Sequence, residues 1–455
     1  MTRESLLSTE VQNPARREFL KWSGAVAAGS ALAGVTIPQV HAAEDNAIRL
    51  ALIGCGGRGS GAARDAFEAT GGPVKLVAMA DIFEKRMQIS LAALSKEYAD
   101  KIDVPKERQF VGFDGYKQAI DCLRPGDVAM LCGYAGFRPY QLEYAVQKGV
   151  NVFMEKSFAS DPVGARKVIE CGDAAEKKNL KIAAGLMCRH SVNRQELIKR
   201  IRDGALGDIQ LIRAYRMHGA IAMGPKPADE KELFFQIRNF VYFYWVSGGL
   251  WAEMDIHQID EICWLKDMWP VTAHGIGGRI ANSTDHSQNL DSYSVEWTFP
   301  DGTKAYDVVR YINGCHTEFN TFVHGTKCAA QFSGDVHAGT VHTYKDQRCA
   351  PDNIDWKAPP EKYSPWQAEW NALLDAIRKD KPHNEAKRAA LSNIADMMGR
   401  AAVNSGQIIT WDQMMKSDFQ WCPYISTMTP DSPPPVQADE RGYYPVPIPG
   451  VWKEV

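Results

Sequence analysis

The sequence lacks several patterns that would assign it to a common class of protein. Its ten cysteines include no CxxC pair, which argues against a zinc ribbon or a thioredoxin-like redox site. It has no basic run and no zinc-binding or RNA-binding motif, and its formal net charge is −3, so nothing indicates a nucleic-acid partner. With 45% hydrophobic and 24% charged residues in a chain of 455, the composition predicts an ordinary globular protein of two or three domains.

The first forty residues lack the length of apolar sequence that a permanent membrane anchor needs, but they have the pattern of an export signal. Arg16 and Arg17 precede an Ala/Gly-rich apolar run over Trp22–Ile37, which is shorter than the roughly 20 residues of a spanning helix. Val40-His41-Ala42 then supplies small residues at the positions of a cleavage site. We therefore expect residues 1–42 to be a twin-arginine signal peptide, with the twin-arginine export machinery as partner and a periplasmic or otherwise exported mature chain.

The segment after the signal has the pattern of a dinucleotide-binding fold. An apolar run over Ile48–Ile53 leads directly into Gly54-Cys55-Gly56-Gly57-Arg58-Gly59, and a helical pattern and a second apolar run over Val74–Ala80 follow. In this arrangement the glycines allow a tight turn, and the helix N-terminus faces the pyrophosphate of the cofactor. The context of the motif, more than the motif itself, predicts dinucleotide binding.

The acidic residue after the second strand bears on which dinucleotide is bound. Asp81 lies 22 residues beyond Gly59, where a carboxylate hydrogen-bonds a ribose 2′-hydroxyl and repels a 2′-phosphate. Arg86 would soften that preference if it faced the cofactor, although a solvated helix position is the commoner role for such a residue. We expect tightly bound NAD, with NADP less favoured. The predicted cofactor-binding residues are Gly54, Gly56, Gly57, Arg58, Gly59, Asp81, Glu155 and Lys156.

Alternating strand and helix patterns continue beyond this unit. Apolar strands are predicted over Asp127–Cys132 and Asn151–Met154, and Glu155 and Lys156 follow the second of them. Ligands bind at the carboxyl ends of such strands. We expect a Rossmann domain with a doubly wound parallel sheet over residues 46–180.

The remainder of the chain predicts a different architecture. The alternation over Tyr293–Phe299 is typical of an antiparallel strand with one packed face. We expect an α+β domain with a large, open, mostly antiparallel sheet over residues 181–410. Residues 411–455 form a proline-rich tail whose aromatic residues favour packing on the surface over free disorder.

Five segments together resemble the glucose–fructose oxidoreductase, inositol dehydrogenase and MocA family, over roughly residues 48–410. The resemblance implies an NAD(P)-dependent oxidoreductase that transfers a hydride to or from a hydroxyl-bearing carbon of a sugar, sugar acid or cyclitol. It also implies a homo-oligomer formed through the open sheet. The matching segments are Ala145–Ser157, Gly185–His190, Asp203–Ile209, Gly248–Asp260 and Asn289–Lys304.

The same resemblance implies catalytic roles for residues of two of these segments. Lys156 would polarise the reacting oxygen, and His257 would be the general base. Glu253 lies four residues before His257 and shares its helix face, and an imidazole beside a carboxylate can exchange protons near neutral pH. Two residues depart from the family pattern: Ser157 replaces a proline and Glu253 replaces an aspartate, which leaves the substrate class open.

Further candidates have a competing structural explanation. Tentative substrate contacts, with core packing or a salt bridge as the alternative, are Arg189, Tyr134, Arg138, Tyr244 and Trp245. Asp260 is expected to be a structural hydrogen-bonding residue. No metal site is expected, because the histidines of the sheet region have no compact ligand spacing; these are His316, His324, His337 and His342.

Two other functions remain open from the sequence. An exported enzyme without a free NAD pool could retain its cofactor and act as a glycoside hydrolase or lyase through transient oxidation, elimination, water addition and reduction. A non-enzymatic sugar-binding module on the same fold is the third possibility. The presence of both Lys156 and His257 argues against this last reading.

Overall fold

The computed structural model describes residues 46–281, 283–334 and 340–455, and the structural statements that follow concern these residues. The predicted signal peptide and His337 lie outside them. Among the described residues, no helix is both long and apolar enough to cross a membrane.

Six parallel strands form the first sheet, in the spatial order β3-β2-β1-β4-β5-β6. Except in the edge strand β3, the central residues of these strands are mostly apolar and buried on both faces, as in Leu50–Leu52, which explains why the strands read as continuous hydrophobic runs. The strand order reverses between β1 and β4, and this switch point opens a crevice at the carboxyl ends of the strands. The strands are β1 (Ile48–Ile53), β2 (Val74–Asp81), β3 (Gln109–Val111), β4 (Val128–Leu131), β5 (Asn151–Met154) and β6 (Ile182–Ala184).

Helices connect these strands as the sequence predicts. The last of them begins at a cap in which the Asp161 carboxylate accepts a hydrogen bond from the Gly164 amide, with Pro162 at the first helical position. Because β6 pairs with β5, the first sheet extends past residue 180, where the sequence placed the domain boundary; that boundary stays a prediction. The helices are α1 (Gly57–Glu68), α2 (Glu84–Glu97), α3 (Gly115–Asp121), α4 (Arg138–Lys148) and α5 (Pro162–Lys177).

Nine strands form the second sheet, in the order β14-β13-β12-β11-β7-β10-β9-β8-β15. Only the β7–β10 pair is parallel among the described strands, so the sheet is mostly antiparallel, as predicted. Burial alternates strictly along β9 and β10, which confirms one packed face. The strands are β7 (Ile209–His218), β8 (Thr272–Gly278), β9 (Ser292–Thr298), β10 (Lys304–Tyr311), β11 (Glu318–Gly325), β12 (Ala329–Gly334), β13 (His342–Tyr344), β14 (Ile354–Lys357) and β15 (Ile409–Thr410).

One helix of this second region, α9, is buried nearly all round. All of its residues are buried except Met254 and Lys266, which are partly exposed. Ile256 belongs to the core beneath the first sheet, whereas Trp251 stacks on Trp297 of β9 in the core of the second. The helices here are α6 (Val192–Arg202), α7 (Glu232–Arg238), α8 (Tyr244–Ser247), α9 (Gly249–Lys266), α10 (Pro365–Arg378), α11 (Ala386–Ser405) and α12 (Trp411–Lys416).

The proline-rich tail packs onto this framework. Tyr444 lies edge-on against Phe243, with ring centroids 4.7 Å apart. Near the end of the chain, the buried Glu454 carboxylate accepts a hydrogen bond from Arg400 of α11 at 3.3 Å. The fold class expected from the sequence, a parallel Rossmann-type sheet followed by a mostly antiparallel sheet, is thus confirmed.

Candidate active site

A cavity of about 560 Å³ opens at the carboxyl ends of the first sheet. The glycine-rich turn lines one part of it, and residues after β5 and from α9 line another. Most of the predicted cofactor and catalytic residues border this space. Those that line it are Gly54, Gly56, Gly57, Arg58, Gly59, Asp81, Glu155, Lys156 and Glu253, and the predicted substrate residue Tyr134 lines it as well.

The glycines of the turn differ in what they permit. Gly54 has φ +91°, and a Cβ there would lie 2.4 Å from the Gly133 amide nitrogen. A Cβ at Gly59 would lie 2.0 Å from the Gly54 carbonyl oxygen. At Gly56 a Cβ would meet no protein atom within 4 Å, so the space above this residue is the cavity itself. Gly54 and Gly59 are therefore required by the fold, whereas Gly56 keeps the backbone accessible from the cavity.

The N-terminus of α1 faces the same space. Among the described residues, no side chain caps it, so its first amide groups keep their donor capacity for a ligand. Backbone donors and the positive end of the helix dipole favour an anionic group such as a pyrophosphate.

Asp81 is held by the glycine turn that it supports. One carboxylate oxygen accepts a hydrogen bond from the Cys55 amide at 2.7 Å, and the other accepts one from the Phe83 amide at 2.8 Å. Burial raises the pKa of this carboxyl, and the two backbone donors oppose the rise. A carboxylate has about four acceptor positions, so two remain for hydroxyl donors in the cavity.

Arg86 lines the cavity and is not a solvated helix residue. It donates hydrogen bonds to the Tyr134 hydroxyl and, at 3.1 Å, to the Arg238 carbonyl oxygen. Its guanidinium carbon also lies 4.7 Å from the centre of the Phe83 ring. These contacts use two of the five N–H donors of the guanidinium, so Arg86 is partly engaged by protein groups.

Tyr134, a predicted substrate residue, forms part of the cavity wall. Its ring stacks on Phe240, with centroids 4.7 Å apart and planes 25° from parallel. Phe240 also lines the cavity, and the sequence analysis missed it. No local pattern marks Phe240, because the contact joins residues more than a hundred positions apart.

The charged residues after β5 are individually paired. Glu155 accepts a hydrogen bond from Arg58 at 2.5 Å, and Arg58 also contacts Asp65 at 3.1 Å. The Lys156 ammonium donates to the Glu253 carboxylate at 2.8 Å and to the Glu253 carbonyl oxygen at 2.6 Å. These pairs fix the two side chains that follow β5 at the edge of the cavity.

Ser157, one of the departures from the family pattern, adds a further link to α9. Its hydroxyl donates to the Ala252 carbonyl oxygen at 2.6 Å, a bond that proline could not form. The end of β5 is therefore attached to the N-terminal turn of α9 at two successive residues, Lys156 and Ser157. This attachment explains how residues about a hundred positions apart in the chain reach a common position.

His257 lies one helical turn beyond Glu253 on α9. The residue is 7% exposed and does not line the cavity. Its position on the same face as Glu253 agrees with the sequence analysis. Its role as general base stays a prediction.

Four predicted substrate residues lie elsewhere. Arg138 is fully buried and donates to the carbonyl oxygens of Leu131, at 3.3 Å, and of Gly133 and Ser157. These hydrogen bonds hold the backbone at the carboxyl ends of β4 and β5 in place.

The other three also have structural roles. Arg189 forms a bidentate salt bridge with Asp260, with both distances 2.9 Å. Tyr244 and Trp245 are buried in the core, where the Trp245 indole donates to Gln236 at 2.7 Å. The structure therefore agrees with the alternative explanations. Arg189 forms a salt bridge, and Tyr244 and Trp245 pack in the core. Asp260 has the structural role expected of it.

Comparison with known proteins identifies the N-terminal segment. Residues 13–33 match the model of the twin-arginine translocation pathway signal sequence. This match confirms the predicted export signal, which lies outside the described residues. No curated protein matches the chain.

Several solved structures share the fold. Scyllo-inositol dehydrogenase from Lactobacillus casei, with bound NAD(H) and scyllo-inositol, aligns with a TM-score of 0.59 and 20% identity over 80% of this chain and 99% of that one. Aldose-aldose oxidoreductase from Caulobacter crescentus aligns with a TM-score of 0.60 and 16% identity over 80% and 99%. UDP-N-acetylglucosamine 3-dehydrogenase from Acidithiobacillus ferrooxidans gives 0.57 and 18% over 78% and 97%. At these identities the likeness establishes the fold, which is the one implied by the family resemblance.

Proposed function

We propose that this chain, which has the fold of inositol and sugar dehydrogenases, is an exported nicotinamide-dependent oxidoreductase. Its substrate would be a sugar, sugar acid or cyclitol that reacts at a hydroxyl-bearing carbon. The observation that carries the proposal is the cavity in which a glycine turn at a helix N-terminus and the Lys156–Glu253 pair face the same space.

The residues around the cavity fit a dinucleotide. The backbone at Gly56 and the N-terminus of α1 would hold the pyrophosphate, and Asp81 would accept hydrogen bonds from the adenosine ribose. We propose NAD over NADP, because Asp81 repels a 2′-phosphate and Arg86 is partly engaged by protein groups. When bound, the nicotinamide would supply the hydride acceptor or donor of the reaction.

The protein side chains would manage the proton and the oxygen. Lys156 is a fixed donor, because the Glu253 carboxylate and carbonyl oxygen orient its ammonium group. A lysine held in this way would donate a hydrogen bond to the substrate oxygen and stabilise negative charge on it. His257, which does not line the cavity, would accept the hydroxyl proton through Glu253.

A turnover screen tests the function. The purified mature protein would be supplied with NAD⁺ and a panel of inositols, aldoses and aldonic acids, and absorbance at the nicotinamide band would be recorded. We expect NADH to accumulate with at least one polyol. Release of a leaving group from an aryl glycoside without net NADH would replace the proposal with the redox-neutral cleavage reaction. Failure of both reactions, together with failure to bind NAD⁺, would contradict enzyme activity at this site.

We also propose that copies of the chain associate through the open sheet. Ile276 on β8 is 77% exposed, Ile280 just beyond β8 is 49% exposed, and both line one shallow groove, so this part of the sheet carries an apolar patch that favours a covered face. Light scattering of the purified protein should give a multiple of the chain mass, and Ile276→Lys should reduce it. A monomer at micromolar concentration would contradict this proposal.

A further inference from the structure

Three side chains that can bind a metal ion meet outside the cavity. His190 ends the short turn that follows β6, Glu369 lies in the second turn of α10, and Glu385 directly precedes α11. One ligand atom from each lies within 4.8 Å of those from the other two. The residues come from three separate segments, which explains why the sequence showed no metal-binding pattern.

Glu369 is the most unusual member of the cluster. It is fully buried, and neither of its carboxylate oxygens receives a hydrogen bond from the described residues. A buried carboxyl without hydrogen-bond partners is costly, so it must be neutralised by a proton or by a cation.

The second carboxylate is held firmly in position. Glu385 accepts a hydrogen bond from the Ala184 amide at 2.9 Å and one from Arg388 at 2.6 Å. Its other neighbours are two imidazoles: the Nε2 of His190 lies 3.3 Å from one oxygen, and the Nε2 of His383 lies 3.9 Å from the other. The cluster is thus anchored to the backbone of β6 before any ligand arrives.

The neighbouring positive charges do not neutralise Glu369. Arg388 donates to Glu385, and its other terminal nitrogen lies 3.7 Å from the Asp260 carboxylate. Arg58, on the side of the cofactor cavity, is paired with Glu155 and Asp65. Both arginines are therefore engaged by other carboxylates.

We propose that His190, Glu369 and Glu385 form a binding site for one divalent transition-metal cation. One imidazole nitrogen and two carboxylates are a ligand set typical of Zn²⁺ or Mn²⁺, with water completing the coordination. None of the three residues lines the cofactor cavity. The cation would therefore stabilise the junction of β6, α10 and α11, and the proposal is independent of the enzymatic function.

Metal binding by the full mature chain tests the proposal. The protein would be freed of metal by a chelator, titrated with Zn²⁺ and with Mn²⁺, and analysed by calorimetry and elemental analysis. We expect one equivalent bound by the wild type and a higher melting temperature in its presence. His190→Gln and Glu369→Gln should each weaken binding by at least about tenfold, whereas the exposed control His316→Gln should match the wild type.

Co²⁺ serves as a spectroscopic probe of the ligands, because the chain also contains ten cysteines. Visible d–d bands without a thiolate charge-transfer band would support a site of imidazole and carboxylates, and thiolate bands would contradict it. The proposal would also fall if the wild type bound no metal, or if Glu369→Gln bound it as tightly. A Glu369→Gln protein with an unchanged or higher melting temperature and a wild type insensitive to metal would show that Glu369 is simply a protonated acid.

Discussion

Helix α9 carries buried acids on two faces, and the two faces differ in how well nearby positive charges match those acids. At the cavity, Glu253 is matched by a single cation, Lys156, at 2.8 Å. Toward the second sheet, Asp255 lies close to Asp307 and Asp396, and these carboxyls outnumber the positive charges around them. Both carboxylate oxygens of Asp307 lack hydrogen-bond partners among the described residues.

Because of this difference, the carboxyl groups on the side of the second sheet bind protons more tightly than ordinary carboxyl groups do. Burial, reinforced by the neighbouring acids, raises the pKa of Asp307 well above its ordinary value and that of Asp396 to about 8. Asp307 and Asp396 therefore favour their protonated, neutral forms at neutral pH. A perturbed pKa alone would select the face of α9 that points toward the second sheet. The cavity and the paired lysine instead support the other face as the proposed active site.

The largest effect is expected at the cavity face. Lys156→Ala should abolish turnover while NAD⁺ binding persists, because the variant lacks the ammonium group that would orient and stabilise the reacting oxygen. Initial rates, an NAD⁺ dissociation constant and a melting temperature would be measured together. Lys167→Ala, which removes a lysine paired with Glu143 near the surface, is the control and should leave turnover unchanged. Loss of NAD⁺ binding in Lys156→Ala would reassign the lysine to the cofactor.

Replacement of the histidine on the same face should have the next largest effect. His257→Ala should lower turnover by about 10²–10⁴-fold, the usual contribution of a positioned acid–base group, and the residual rate should rise with pH as hydroxide replaces the base. The exposed His274→Ala is a suitable control. A stable His257→Ala protein with near-normal turnover would remove this residue from the mechanism.

A smaller effect is expected for the acid that contacts the glycine turn. Asp81→Ala should weaken NAD⁺ binding by roughly 1–3 kcal/mol, the scale of a lost hydrogen bond to a charged group, and should narrow the preference for NAD over NADP. Calorimetric titration with both cofactors would measure this. Tighter binding of NADP than of NAD by the wild type would show that Arg86 dominates over Asp81.

The acids of the other face should affect stability and its pH dependence, but not cofactor binding. The folded chain holds the Asp396 proton more tightly than the unfolded chain does, so this residue lowers the free energy of unfolding as pH rises from about 4 to about 8. Asp396→Asn should remove only part of that loss, because Asp396 titrates jointly with Asp255 and Asp307. We expect the variant to be more stable than the wild type at pH 9 by about 1–3 kcal/mol.

Denaturant unfolding between pH 5 and pH 9 would measure this difference. The exposed Asp173→Asn should follow the wild-type pH profile and provides the control. An Asp396→Asn protein that is less stable than the wild type at pH 9 would mean that Asp396 carries a stabilising charge, contrary to the assignment.

Local patterns in the sequence were sufficient for most of the first sheet and for its glycine turn, but not for β6, which lies beyond the predicted boundary at residue 180. Continuous apolar runs, turn residues and the Asp161 cap are encoded by neighbours in the chain, so their structures follow directly. The proximity of Lys156 to Glu253 required the family resemblance, because it depends on how α9 packs against β5.

The sequence did not reveal which of the candidate side chains are exposed to the cavity. Arg138 and Arg189 are charged residues, yet Arg138 is fully buried under backbone carbonyl groups and the partly buried Arg189 is paired with Asp260. Tyr244 and Trp245 are aromatic residues of the kind that line sugar sites, yet here they fill the core. In each case the tertiary packing around the side chain determines its role.

Gly56 provides the most direct test of the claim that the cavity binds a dinucleotide. A Cβ at this position meets no protein atom within 4 Å, and φ is −73°, so Gly56→Ala should fold with the wild-type melting temperature. Its methyl group would occupy the space through which the backbone meets the pyrophosphate, and calorimetry should show NAD⁺ affinity reduced by about tenfold or more. An unchanged NAD⁺ affinity in a stable Gly56→Ala protein would contradict the assignment of this cavity as the cofactor site.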